Sequence, residues 1–258
     1  QIEKYGDKDY LFKHGGIHMQ ELTGPRAANV VRHEYGHFIH HNMHYKNVPR
    51  FLVRDFVHEY RRKKPKDKLL FVEDFFYGRP QYLDNKDSLV SLLKFEDAFL
   101  KSQKRFGVPS RSKTAKEALK QKQIYYTEMR TRVFNNNKIQ EGPMYDWATG
   151  RTINIKKVIP DNDKLIKTML KEGPEGQDTM GIIQDLVGAI TKNKVGYGHA
   201  NSYYKKFSGK QHHETFANLT CLYTHKNPIY WDFVKKELPE LANYFEEMLE
   251  EGFISFKN

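Results

Sequence analysis

The sequence predicts an α+β chain built mostly of helices, with a core interrupted by a large basic insertion. Three observations carry this. Apolar residues recur at helical spacing near the N-terminus and again through the last third of the chain, where prolines punctuate them. Only a few short stretches alternate as strands do. Positive charge is concentrated in one internal segment: between Lys46 and Lys138 there are 23 Lys and Arg against 11 Asp and Glu, while the remainder is nearly balanced at 20 against 21. Residues 1–45 and 140–258 are therefore expected to form the core, and residues 46–139 a basic, partly helical insertion.

In chain order, Tyr10–Phe12 and Ile17–Met19 read as short strands flanking Gly15-Gly16. A helix follows, with Pro25 suited to its first position and Thr23 or Gly24 at the cap. Ala27, Val30, Val31, Phe38 and Ile39 recur along it as a stripe expected to be buried. Leu69–Phe76 is expected to include a strand. Ser88–Phe106 and Thr114–Val133 read as helices, and Asn135–Asn137 and Gly142-Pro143 as turns. Thr152–Ile159 alternates partly like a strand, and Leu165–Lys171 and Ile182–Ile190 read as short helices. Gly196–Gly198 marks a turn. A helix is expected from about Gln211 to Thr224, ended by Asn227-Pro228, then Tyr230–Glu237 and Pro239–Glu250 with Pro239 at a first helical position.

At 258 residues, 38% hydrophobic and 29% charged, the composition is that of a globular chain, and 16 Tyr with 17 Phe supply a sizeable core. No apolar run approaches the roughly 20 residues that span a bilayer. The opening Gln-Ile-Glu-Lys has no apolar region of a signal peptide and no initiator Met. The expectation is a processed product or a piece of a longer protein, not exported by a signal peptide. Cys221 is the single cysteine, which excludes intramolecular disulfides and Cys-rich metal sites and fits a reducing compartment. Any metal here is held by His and carboxylates.

His33-Glu34-Tyr35-Gly36-His37 is an HExxH pattern. Residues four apart share one helical face, so the two imidazoles can grip one zinc ion, with Glu34 beside it to take a proton from the water that zinc acidifies. The plain alternative is a pair of surface histidines on a His-rich helix, since His40, His41 and His44 follow. A catalytic zinc takes three protein ligands and keeps one position open. A third His six residues after the second is excluded, because that position is Met43. A carboxylate from a second helix remains, and Glu214 in His212-His213-Glu214-Thr215-Phe216-Ala217-Asn218 is the best candidate. Phe216, Leu219 and Tyr223 would be the buried stripe of that helix, with Glu214, Ala217, Asn218 and Cys221 on another face.

Glu214-Thr215-Phe216-Ala217-Asn218 resembles the ExFAE helix of lethal-factor-like metallopeptidase domains. Asp185-Leu186-Val187-Gly188-Ala189-Ile190, Gly196-Tyr197-Gly198-His199 and Tyr203-Tyr204 resemble the metallopeptidase-like domains of phage head-morphogenesis (minor head) proteins. The resemblance covers about residues 23–45 and 182–225. It implies a zincin-like, mostly helical metallopeptidase core with a small sheet edge beside the cleft, and Glu214 as third zinc ligand. It also implies that Tyr203, Tyr204 or His199 faces the oxyanion. Asn218 stands where the family often has a second acidic residue; its carbonyl oxygen can orient a His ligand, but it brings no negative charge.

The expected function is zinc-dependent hydrolysis of peptide bonds in a protein substrate, in phage head assembly or within the virion, with other phage structural proteins as partners and the virion or host cytoplasm as location. The competing expectation is a catalytically silent structural or DNA-associated virion component on the same fold. Its support is the basic 46–138 segment, with Arg61, Arg62, Lys63 and Lys64 in the densest cluster, as a contact for DNA or another polyanion. No membrane partner is expected.

Overall fold

The computed structural model describes residues 2–3, 10–13, 16–18, 26–108, 111–135, 142–146, 151–155, 163–200, 202–204 and 208–251. Ten α-helices occur among them. Three short strands open the chain: β1 (Ile2–Glu3), β2 (Tyr10–Lys13) and β3 (Gly16–His18). β3 lies in the middle, parallel to β1 and antiparallel to β2, with Leu11 opposite Ile17. β2 and β3 rest against the first helix, α1 (Ala27–His44). Arg26 occupies the N-cap position of α1; the Pro25, Thr23 and Gly24 cap expected there lies outside the described residues.

The expected apolar stripe of α1 is buried only at its C-terminal end, where Ile39 joins the larger apolar cluster and Phe38 packs against it. Val31 is 38% exposed, and Ala27 and Val30 are only half-buried. The face turned inward carries Asn29, His37, His40 and His44, with His33 at its edge. Their spacing is helical, but the residues are polar. They can be buried because each finds polar partners on neighbouring helices.

α2 (Arg50–Arg62), α3 (Lys68–Tyr77) and α4 (Lys86–Arg105) follow. The Leu69–Phe76 run is helical, not a strand. Phe71 and Phe75 are one turn apart and both meet Phe56 of α2, with ring centroids at 5.1 and 4.8 Å. Burying rings on one face of the run outweighs its modest strand propensity. These residues, with Leu52, Leu89 and Leu92, form a small apolar cluster of their own.

α5 (Lys113–Phe134) leads to a hairpin of β4 (Gly142–Asp146) and β5 (Arg151–Ile155), paired antiparallel from Gly142 opposite Ile155 to Asp146 opposite Arg151. Gly142-Pro143, expected in a turn, thus begins a strand, and its turn character survives as the φ of +115° at Gly142. Then come α6 (Asp163–Glu172), α7 (Pro174–Thr191), α8 (Ser208–Tyr223), α9 (Ile229–Glu237) and α10 (Pro239–Glu250). α8 is the central element, packed between α1 and α7, and almost every residue along it is buried. The larger apolar cluster surrounds it: Phe216 and Leu219 share it with Ile183 and Leu186 of α7, Phe95 and Phe99 of α4, Tyr126 and Met129 of α5, and Leu241 and Phe245 of α10. The basic stretch after α1 therefore supplies both clusters, its first helices forming the small one and its later part lining the large one. Each fully buried side chain of this kind contributes roughly 1.5–3 kcal/mol. No described helix is long and apolar enough to cross a membrane.

Candidate metal centre

α1 and α8 cross at Gly36. A Cβ there would stand 2.6 Å from Ala217 Cα and 2.9 Å from the Thr220 side chain, so the absent side chain lets the two backbones touch. This contact sets His33 and His37 of α1 opposite Glu214 of α8. His33 Nε2 and His37 Nε2 are 3.1 Å apart, and they lie 3.4 and 3.6 Å from Glu214 Oε2. Three donors on a tetrahedral zinc, at 2.0–2.1 Å from the ion, are separated by about 3.3–3.4 Å. The three residues thus form a group whose donor atoms can hold a metal ion. Glu214 Oε2 is buried and has no aligned hydrogen bond among the described residues, although imidazole nitrogens face it. That is the condition of an atom suited to a cation.

His33 is oriented from behind. Its Nδ1 lies 3.1 Å from Asn218 Oδ1, and Asn218 Nδ2 donates to Asp185 Oδ2 at 2.9 Å. An ionised Asp185 can only accept, which fixes the amide orientation. Asn218 Oδ1 then faces His33 and accepts from its Nδ1–H, so a neutral His33 presents its bare Nε2 toward His37 and Glu214. Asp185 supplies the negative charge that Asn218 itself lacks. Burial and the nearby Glu214 push the Asp185 carboxyl up, while burial of Glu214 is outweighed by His199, His33 and His37, which hold it far below the usual carboxylate range. Asn218→Ala should weaken metal binding ten- to hundredfold by releasing the His33 ring, with the fold retained by circular dichroism. An unchanged affinity would remove Asn218 from that role.

Asp185 belongs to α7, under the loop that carries Gly196, Gly198 and His199. A Cβ at Gly198 would overlap Asp185 Oδ1, at 1.6 Å, so glycine is what allows the loop to close over this carboxylate. Gly196 has a φ of +75° and lies against Gln184 O and Gly188 N of α7. Asn193 Nδ2 donates to His199 O at 2.6 Å, fixing the loop end.

The structure separates the other named candidates. Glu34 is 8% exposed, one residue from His33, and its charge reaches both His33 and Tyr203. His199 and Tyr203 stack at 4.2 Å and both reach Glu214: His199 Nε2 lies 3.0 Å from Oε2, and the Tyr203 hydroxyl donates to Oε1 at 2.7 Å. Tyr204 is buried and donates to Asp185 Oδ1 at 3.3 Å, which turns it toward the support of the site. Burial and the adjacent carboxylates push both phenols up, so they act as hydroxyl donors. Cys221 is buried against Asn29, and burial pushes its thiol up to about 12.

A second histidine layer, unforeseen in the sequence, lies beyond the triad. His40 Nδ1 is 3.2 Å from His213 Nδ1, and His44 meets Ser88 O and the Tyr244 hydroxyl. Burial lowers His44 and His213 to about 3, so this layer is neutral near pH 7. His212 Nε2 lies 2.9 Å from Glu96 Oε2, and the other Glu96 oxygen is 2.5 Å from Arg61 Nε. Against the cost of burial, His212 and Arg61 hold Glu96 down to about 2. Of the basic cluster, Arg61 thus directs its guanidinium to Glu96, Lys63 lies 5.5 Å over the Phe71 ring, and Arg62 and Lys64 are exposed. No signal of spacing could have found Glu96 or Asp185, since each becomes polar support only through tertiary packing. No family model, curated protein or solved structure is found to match this chain.

Proposed function

We propose that the chain is a zinc-dependent peptidase that uses His33, His37 and Glu214 as zinc ligands and Glu34 as general base. The carrying observation is the convergence of the three donor atoms, 3.1–3.6 Å apart, at a buried helix crossing with Glu34 alongside. Zinc supplies Lewis acidity, bringing the pKa of a water toward neutrality and polarising a carbonyl. Glu34 takes the proton of that water as the new C–O bond forms, and returns it to the amine as the C–N bond breaks. Tyr203, whose hydroxyl donates to Glu214 Oε1 beside the triad, is the donor to the oxyanion in this reading. Asp185 and Asn218 hold the His33 tautomer. The likeness of the Gly196–His199 and Glu214–Asn218 segments to phage head-morphogenesis domains supports a substrate among phage structural proteins, in the virion or the host cytoplasm.

Purified without chelators, the chain should carry zinc by elemental analysis, and cleavage of co-purifying or self-derived protein should stop on chelation and return with zinc. Protein free of metal, with processing indifferent to chelators, would overturn the reading.

A further inference from the structure

Glu214 belongs to two donor groups. Besides His33 and His37, it forms a second triad with Asp185 and His199, whose donor atoms also lie within 4.8 Å of one another. His199 Nε2 is 3.0 Å from Glu214 Oε2 and 3.9 Å from Asp185 Oδ2. One buried and one half-buried carboxylate thus flank one imidazole. Like charges this close in a poorly solvated site repel unless something positive stands between them. Glu214 Oε2, on a side chain 97% buried, accepts no aligned hydrogen bond among the described residues and is aimed at both triads.

Ligand arithmetic separates the triads. A hydrolytic zinc keeps one position open, so His33, His37 and Glu214 complete its protein set. Adding His199 to the same ion would close it. We infer that the chain holds a second divalent transition-metal ion on Asp185, His199 and Glu214, with Glu214 bridging the two ions. The donor set of two carboxylates and one imidazole suits zinc or manganese. In two-metal hydrolytic centres the ions stand about 3.5–4 Å apart and share the charge that develops on attacking and leaving oxygens. Asn218 touches both sides, donating to Asp185 and facing His33, so one amide sets the spacing of the two triads. The inference deepens the proposed function and rests on its zinc triad.

The test is stoichiometry. The full chain, stripped and then titrated with Zn²⁺ alone, should bind two ions, and X-ray absorption should show a metal–metal vector near 3.5–4 Å. His199→Ala should bind one, keeping its affinity within about tenfold of the tighter wild-type site, while the second affinity falls by more than about a hundredfold. Asp185→Asn should lose the second ion and also weaken the first, through Asn218. Mn²⁺ should compete at the weaker site. A single ion in wild type whose affinity is unchanged in His199→Ala overturns the second site and leaves the zinc triad intact. A single ion that weakens in His199→Ala also overturns it, making His199 a fourth ligand of one ion. No bound ion at all overturns the underlying triad.

Discussion

Glu34→Gln is expected to keep its metal while peptide hydrolysis falls by at least about a hundredfold, the lower end of general acid–base catalysis. Gln preserves the size and reach of the side chain but cannot accept the proton. Glu34 is not a member of either donor group, so metal content should match wild type. It is buried beside His33, close enough for its charge to be felt by His33 and by Tyr203 across the site. Cleavage and zinc content should be measured on the same preparations. Equal, zinc-independent cleavage by both proteins would place catalysis elsewhere. Cleavage by neither, with zinc fully bound, would favour a structural role for the chain.

Gly36→Ala is expected to have the next largest effect, although it touches no donor atom. The added methyl would sit 2.6 Å from Ala217 Cα and 2.9 Å from Thr220, closer than real Cβ contacts, and one of the obstructing groups is backbone. α1 and α8 must then separate. Overpacking of this kind costs about 1–3 kcal/mol. His33 and His37 would move away from Glu214, so zinc affinity should drop by at least about tenfold, the scale seen when a ligand's support is disturbed. Thermal unfolding and zinc titration of Gly36→Ala check both. Wild-type stability and affinity together would show that the crossing is looser than these distances imply.

The helical character of the chain was legible because it is local. Ser88–Phe106 and Pro239–Glu250 announce themselves by apolar period and by proline, and the structure has α4 and α10 there. The site was legible where spacing encodes it: HExxH puts His33 and His37 on one face whatever the fold around them. Glu214 required a second helix to be matched to the first, and the structure brings it to them. Hydrophobicity reveals only part of the inward face of α1, Ile39 and the flank of Phe38. Much of the rest is histidine and asparagine, held by partners from α4, α7, α8 and α10 that no local pattern reveals. Asp185 illustrates the same limit. On the sequence it is one of three acids in α7, beside Glu175 and Asp178, and only the glycine loop laid over it and the amide of Asn218 give it work.

The donors lie on helices separated by most of the chain, Asn218 standing 185 positions beyond His33. An unfolded chain cannot hold them together, so an ion bound to both helices selects the folded state by mass action. At a thousandfold excess of free metal over its dissociation constant, that preference amounts to about 4.1 kcal/mol. Set against the 5–15 kcal/mol typical of a whole domain, it is a large share. The lifetime of this protein would then follow the metal supply of its surroundings: persistent where zinc is replete, and open to proteases where zinc is scarce.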